Sequence, residues 1–360
     1  MKKSLIALAA AGAFAAPAFA ATSNVDVYGV LNVSIGSVDS DVTNDDRSTS
    51  VTSNASRIGF KGSEDLGGGL AAVWQIETGL NLDESGGTLA SRNSFVGLKG
   101  GFGTVLFGRH DTPVKLLGRS VDNFGDTMAD SRNLLGADGS NGASVYDMRP
   151  SNAIAYVSPS FSGLSFMGAY STDHGVGNAN NCVTGLDCND RDAYSVSGSY
   201  NNGPLMLGAG YERQNTVLGG NDVDRSIWRI VGSFTMGDLK LGAQYENGSA
   251  DNVAGLVGGD RDAWGIFGNY ALGNIVLKAN YLSVDDYKGV GSSGAKQYTL
   301  GADYGLSKRT TVYALYAKVK NDNNASFDLG VGAGDSDNTN AAGVFGNDPS
   351  VFAVGLKHSF

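Results

Sequence analysis

Side chains able to do covalent or metal chemistry are few in these 360 residues: three histidines (His110, His174, His358) and two cysteines (Cys182, Cys188). A hydrolase would need a nucleophile held beside one of the histidines, as in a Gly-x-Ser-x-Gly turn. No such motif flanks His110, His174 falls in a polar gap, and His358 stands next to the chain end. Catalysis is therefore not expected. Cys182 and Cys188 lie close together in a Gly/Asn/Asp-rich stretch, and in an oxidising compartment they would close a small disulfide loop. A metal site there would need a histidine or a second cysteine pair at ligand spacing, and the sequence has neither, so no metal or cofactor is expected. Charge is abundant instead: 36 acidic against 26 basic residues, a formal net charge of −10. That balance argues against a nucleic-acid partner.

The elements that would carry these charges begin after a leader. Residues 1–20 open with Lys2 and Lys3, continue through the apolar stretch Leu5 to Ala11, and end on the small-x-small site Ala18-Phe19-Ala20. This is the pattern of a secretory signal peptide, with the mature domain expected over 21–360. Without the two leader lysines the balance is 24 basic against 36 acidic, or −12. No later window is apolar enough for a membrane-spanning helix. Fifteen Tyr, fifteen Phe and three Trp spread along the whole length exclude a disordered chain, and the fifty-three glycines lack the every-third-position period of collagen.

One pattern recurs from end to end: about ten residues alternating apolar with polar or small, then a gap. Leu239, Leu241, Ala243 and Tyr245 alternate with Lys240, Gln244 and Glu246, and Ile275, Leu277 and Tyr281 with Lys278 and Asn280. Period two of this kind means half-buried strands. Sixteen segments are expected, near 25–36, 53–62, 70–80, 91–99, 103–109, 151–158, 163–172 and 192–200, then 204–214, 226–236, 238–247, 261–272, 274–284, 296–305, 309–319 and 351–360. The gaps alternate between tight turns, such as Asn201-Asn202-Gly203 and Met236-Gly237-Asp238, and long polar connections, of which 110–150 is the longest. Short turns at one end and long loops at the other describe a closed membrane barrel. A barrel of sixteen strands is too wide for side chains to fill, so its polar face must line water and its apolar face must meet lipid. Tyr170, Tyr211, Tyr245 and Tyr281 then fall near the long loops, and Tyr200, Phe234, Tyr270 and Tyr304 near the short turns, as two interfacial belts.

Several stretches resemble the general porins of Gram-negative outer membranes: Val25-Asp26-Val27-Tyr28-Gly29, the run 56–69 from Ser56-Arg57-Ile58-Gly59-Phe60-Lys61 to its triple glycine, 95–103 leading to Gly108-Arg109, Arg149-Pro150-Ser151-Asn152, and Val354-Gly355-Leu356-Lys357-His358-Ser359-Phe360. The resemblance covers the whole mature chain. It implies an all-β fold, a 16-stranded antiparallel transmembrane β-barrel with an inward-folded third extracellular loop, assembled as a homotrimer in the cell outer membrane. It also implies contact with outer-membrane lipid and lipopolysaccharide, and a terminal Phe360 similar to the signature read by outer-membrane assembly machinery. The function implied is a water-filled channel for passive diffusion of ions and small hydrophilic solutes. A substrate-specific outer-membrane channel is the alternative, and a purely structural or adhesive barrel a more distant one.

In that family an arginine cluster on the barrel wall faces carboxylates on the inward loop, creating a transverse field at the narrow point. The resembling positions are Arg57, Arg92 and Arg149, and period two adds Lys61 on the same face as Arg57. Such cations repel one another unless carboxylates stand opposite. Asp122 and Asp126 of 110–150 are the expected partners, with Phe124-Gly125-Asp126 resembling the loop tip; Lys115, Arg119 and Arg132 are mixed in with them. Two departures from the family pattern, Asn123 and Val30, bear on the net sign at the constriction.

Overall fold

The structure, a computed structural model, describes residues 24–41, 47–85, 87–137, 145–174, 191–218, 221–251, 260–330 and 344–360. The expected leader and the Cys182–Cys188 pair lie outside the described residues. Seventeen strand segments make one antiparallel sheet. They are β1 (Asn24–Asp39), β2 (Ser48–Ser53), β3 (Arg57–Gly67), β4 (Leu70–Gly79), β5 (Ser94–Gly100), β6 (Gly103–Arg109), β7 (Ala153–Val157), β8 (Leu164–Ser171) and β9 (Ala193–Asn202). The second half continues with β10 (Leu205–Leu218), β11 (Asn221–Met236), β12 (Leu239–Asp251), β13 (Arg261–Leu272), β14 (Ile275–Val284), β15 (Ala295–Gly305), β16 (Thr310–Asn321) and β17 (Ser350–Ser359). β2 and β3 both pair with β1, each later strand pairs with its sequence neighbours, and β17 pairs back onto β1. The sheet is therefore closed. β2 and β3 both lie along β1 and form one barrel strand with a break, so the barrel has the sixteen strands that the alternation implies.

That break changes which way side chains point. In β2 the register places Ser53 opposite Val33, whereas β3 resumes with Arg57 opposite Val30, so the three residues 54–56 face only two on β1. This is a β-bulge. Ala55 takes a φ of +50°, and Ser56 Oγ both receives the Asn32 amide (2.9 Å) and donates to the Asn32 carbonyl (3.1 Å). Because side chains alternate strictly, one extra residue exchanges the two faces. Val51 before the bulge and Phe60 after it both point out of the barrel, and Arg57 is thereby turned inward. The expected segment 53–62 thus becomes a longer, interrupted strand. The expected gap near 215–224 is likewise an extension of the β10–β11 hairpin, where Asn215 pairs with Asp224 and Leu218 with Asn221.

The two-residue turns after β11 and β13 each begin with a glycine at positive φ, Gly237 (+57°) and Gly273 (+60°), which an L side chain would disfavour. The outer face is apolar: Leu207, Ile230, Leu241, Ile266, Leu277 and Leu300 are all exposed on it. A line of aromatic rings near the long loops joins Tyr194 to Tyr211, Trp228 to Tyr245, Trp264 to Tyr281, and Tyr281 to Tyr298, with centroids 5.1 to 6.0 Å apart. The inner face carries polar residues, among them Asn32, Glu212, Gln214, Arg229, Glu246 and Gln297, all buried, but β13, β16 and β17 also turn apolar residues inward, such as Phe267, Leu315, Val319 and Val351.

Closure ends on the last residue. Gly29 N donates to Phe360 O and Phe360 N to Gly29 O, both at 3.1 Å. The Phe360 ring lies against Gly29, where an added Cβ would collide with that ring and stand 2.7 Å from the Arg57 carbonyl. A Gly29→Val variant should therefore lose about 1–3 kcal/mol through overpacking at the closing seam. Its heat-resistant folded band on a gel is expected to melt several degrees below the parent's; an unchanged melting temperature would refute the seam assignment.

Candidate functional site

The connection between β6 and β7 crosses the polar interior of the barrel. Thr112 caps a short helix, α1 (Pro113–Arg119), its hydroxyl receiving the Lys115 amide, and Pro113 pre-sets the first turn. Val114 and Leu117 bury against Gly208 and Gly210 of β10, whose missing side chains make room for them; a Cβ on Gly208 would lie 2.6 Å from Leu117 Cδ2. Arg229 on β11, fully buried, holds both ends of the connection. It donates to Val114 O (2.9 Å), pairs with Asp147 (2.7 Å), and is itself neutralised by Glu246 (2.8 Å).

Beyond α1 the chain runs across to the opposite wall. Asn123 donates to Asn280 Oδ1 (3.2 Å) and receives Asn269 Nδ2 (2.9 Å), the Phe124 ring packs over Gly301, and Lys278 Nζ stands 4.6 Å from the centre of that ring. Asn32 on β1 donates to the Asp126 carbonyl at 2.6 Å, and Gln297 on β15 to that of Ala129 at 3.0 Å. Phe124, Met128, Leu134 and Leu135 are buried by this arrangement. Each contributes about 1.5–3 kcal/mol of apolar burial that keeps the loop inside the barrel. Asp126 itself adopts a φ of +60°, a conformation that aspartate tolerates better than most residues and that its amide bond to Asp130 (2.9 Å) helps to fix.

At the tip, charges from loop and wall interlock. Arg57 on β3 meets Asp126 at 3.0 Å and Arg119 meets the other oxygen of the same carboxylate at 2.7 Å. Asp130 receives Arg132 (2.7 Å) and Arg119 (3.6 Å). At the root, Asp111 pairs with both Lys115 (2.8 Å) and Arg149 (3.0 Å), while Arg92 pairs with Glu77 (2.6 Å), which also accepts from the Tyr28 hydroxyl (2.9 Å). Three of these four carboxylates thus serve two cations each. In these arginine pairs the guanidinium also stands nearer the water, whereas Lys115 is more buried (6%) than Asp111 (10%). Arg57 is 19% exposed against 6% for Asp126, Arg119 29% against 0% for Asp130, and Arg92 21% against 9% for Glu77.

The expected site residues are distributed unevenly over this network. Arg57 and Asp126 meet directly, but Arg92 and Arg149 find their acids on the wall and at the loop root rather than at the tip. Lys61 is exposed, 5.2 Å from the Tyr28 ring centre, and makes no ion pair among the described residues. Asp122, expected opposite the arginines, instead accepts the amides of Phe124 (2.9 Å) and Ser131 (2.9 Å) and the side chain of Asn280 (3.1 Å). A short acid that can bond the backbone two residues on is used here to shape the loop. Glu77, Asp111 and Asp130 were not singled out from the sequence; Glu77 alternates with the outward Ile76, and that parity is the signal that could have found it.

Burial opposes ionisation of Asp126, but Arg119 and Arg57 outweigh it, with Arg132 and Lys357 adding to them, so its carboxyl stays well below the ordinary range. Asp122 lacks such help: burial, and then the neighbouring Asp130, push it up to about 6. Burial pulls Lys115 down to about 8 although Asp111 opposes the fall.

Residues 7–324 match the Gram-negative porin family. Outer membrane porin protein 32 of Delftia acidovorans is 31% identical over 377 aligned positions that span the whole of both chains. The solved structure of an anion-selective porin from Comamonas acidovorans superposes with a TM-score of 0.75 at 28% identity, over 94% of this chain and 100% of that one. The trimer form of OmpT, an outer membrane protein of Vibrio cholerae, is 19% identical with a TM-score of 0.68, over 94% and 99% of the two chains, a likeness of fold.

The Asp122 carboxyl binds its proton more tightly in the folded barrel than in an unfolded chain, where its ordinary value is 3.8. Stability is therefore gained as pH falls through about 6 toward 4 and lost as it rises through the same range. The heat-unfolding midpoint should rise between pH 7.5 and pH 5, by an amount worth about 1–3 kcal/mol. Asp122→Asn should flatten that slope; a variant retaining the parent's pH dependence would point to a different group.

Proposed function

Because the chain belongs to the Gram-negative porin family, and so forms an outer-membrane channel for passive diffusion of ions and small hydrophilic solutes, we propose that loop 110–152 sets its aperture and that the aperture prefers anions. Among the described residues, six cations (Arg57, Arg92, Lys115, Arg119, Arg132, Arg149) face four paired carboxylates (Glu77, Asp111, Asp126, Asp130). The observation that carries the reading is the difference in exposure within the arginine pairs; Lys115, at 6% against 10% for Asp111, is buried and does not share it. Guanidinium groups line the water while their carboxylates sit behind them, so a solute in the lumen meets positive charge first. This local sign is opposite to the −10 of the whole chain. Lys61 and Lys357 extend the positive wall on either side of β1, and Asp122, the one further acid of the tip, is pushed toward its neutral form. The relative described as an anion-selective porin is in keeping with this preference.

The pore remains a general one in this reading. Its groups make bonds to one another rather than a dedicated binding pocket, and passing anions exchange with mobile counter-ions. The same reading takes residues 1–20 as a cleaved leader, Cys182 and Cys188 as a disulfide, and the barrel as one third of a homotrimer, the assembly described for OmpT. Outer-membrane lipid and lipopolysaccharide would cover its apolar band, and Phe360 would present the chain to the assembly machinery.

Single channels in a planar bilayer under a KCl gradient should reverse at a potential of the sign given by chloride preference, and should insert in three equal steps. Arg57→Gln and Arg149→Gln each leave their carboxylate one remaining cation, so the double variant removes two positive charges without orphaning an acid. It is expected to move the reversal potential at least halfway toward zero. A cation-selective parent, or a double variant indistinguishable from it, would defeat the assignment.

A further inference from the structure

The connection between β16 and β17 also enters the barrel. From Asp322 onward it turns inward, and Ala325, Ser326, Phe327, Asp328 and Leu329 are all buried. Phe327 and Leu329 belong to the same apolar cluster as Met128, Leu134 and Leu135 of loop 110–152. The two loops also meet backbone to backbone: Gly330 N donates to Met128 O at 2.9 Å, with Gly330 at a φ of +84° that favours glycine.

The incoming stretch is itself held rigidly. The side chain of Asn321, last residue of β16, receives the Phe327 amide (2.9 Å) and donates to the carbonyls of Phe327 (2.9 Å) and Asn347 (2.6 Å). Asn324 reaches sideways to the preceding connection, its amide bonding Ser292 O (2.7 Å) and its side chain Gly291 O (2.8 Å). An arch spanning a water-filled lumen would expose Met128, Leu134 and Leu135 on its free side. The stretch 322–330 covers them.

We propose that 322–330 is a positioning element of the pore: it presses the Met128–Leu135 part of the arch into place, and so fixes the height and spacing of Asp126 and Asp130 against the arginine wall. The arch gains a second support that is independent of its own bonds to the wall at Asn123, Asp126 and Ala129. Segments with few such supports open locally at low cost. The proposal rests on the reading of loop 110–152 as the aperture.

Phe327→Ala removes the apolar seat and Asn321→Ala the clamp behind it, both away from the charged wall. In planar bilayers each variant is expected to raise open-channel current noise about threefold or more and to broaden the distribution of conductance steps, the signature of a locally opening segment. The reversal potential should move toward zero as the arch leaves the wall. If Phe327→Ala does not fold, Asn321→Ala decides alone. Folded, heat-resistant variants with the parent's noise, conductance and reversal potential would overturn the proposal, since a purely structural role would lower only the melting temperature. Failure of the aperture reading itself is seen separately, as unchanged selectivity in the Arg57/Arg149 double variant.

Discussion

Every peptide group within the hydrocarbon layer must find its hydrogen-bond partner inside the sheet, because lipid offers none. That single requirement forces β17 back onto β1 and leaves no free edge. It also explains why the closing residues are so exacting. Gly29 and Phe360 exchange both main-chain bonds, and the ring that covers the seam needs a glycine beneath it. The apolar outer face and the aromatic line follow from the same solvent. With lipid outside, hydrophobic residues gain by pointing away from the centre of the molecule, the reverse of a water-soluble protein.

A sheet closed in this way is too wide to fill, so the interior has to be furnished by other means. Among the described residues, two connections enter it. Together with inward strand residues such as Phe267, Leu282, Leu315 and Ala353 they build an apolar core around Phe124, Met128, Leu134, Phe327 and Leu329. The charges are then sorted by this core. Carboxylates at the arch tip end up shielded, while arginines from the wall and from α1 reach over them into the water. Net charge of the whole chain is thus a poor guide to the field a solute feels. What matters is which partner of each pair is left facing the lumen.

The barrel was legible because alternation, loop-length asymmetry and the terminal Phe360 are all consequences of the bilayer, repeated strand after strand. Boundaries shifted where hydrogen bonding extends beyond the bilayer pattern, as in the polar part of the β10–β11 hairpin between Asn215 and Asp224. Arg57 and Asp126 were found as a pair through resemblance and parity. Asp122 ties its own loop where Asp126 faces an arginine, and two such aspartates look alike in sequence; only the fold separates them. The inward turn of 322–330 carried no signal of its own, since its buried run 325–330 is short and mixes apolar with polar residues inside a long glycine-rich connection.

The bulge at 54–56 has a bearing on how such channels diversify. One residue more or less at that point exchanges the lipid face and the pore face of everything that follows, up to the next turn. Arg57 owes its place in the lumen to that extra residue rather than to its own identity. Variation in the transport properties of related barrels need not wait for a favourable change of amino acid: a short insertion or deletion in the gene can deliver an existing arginine to the pore, or withdraw it, in one step.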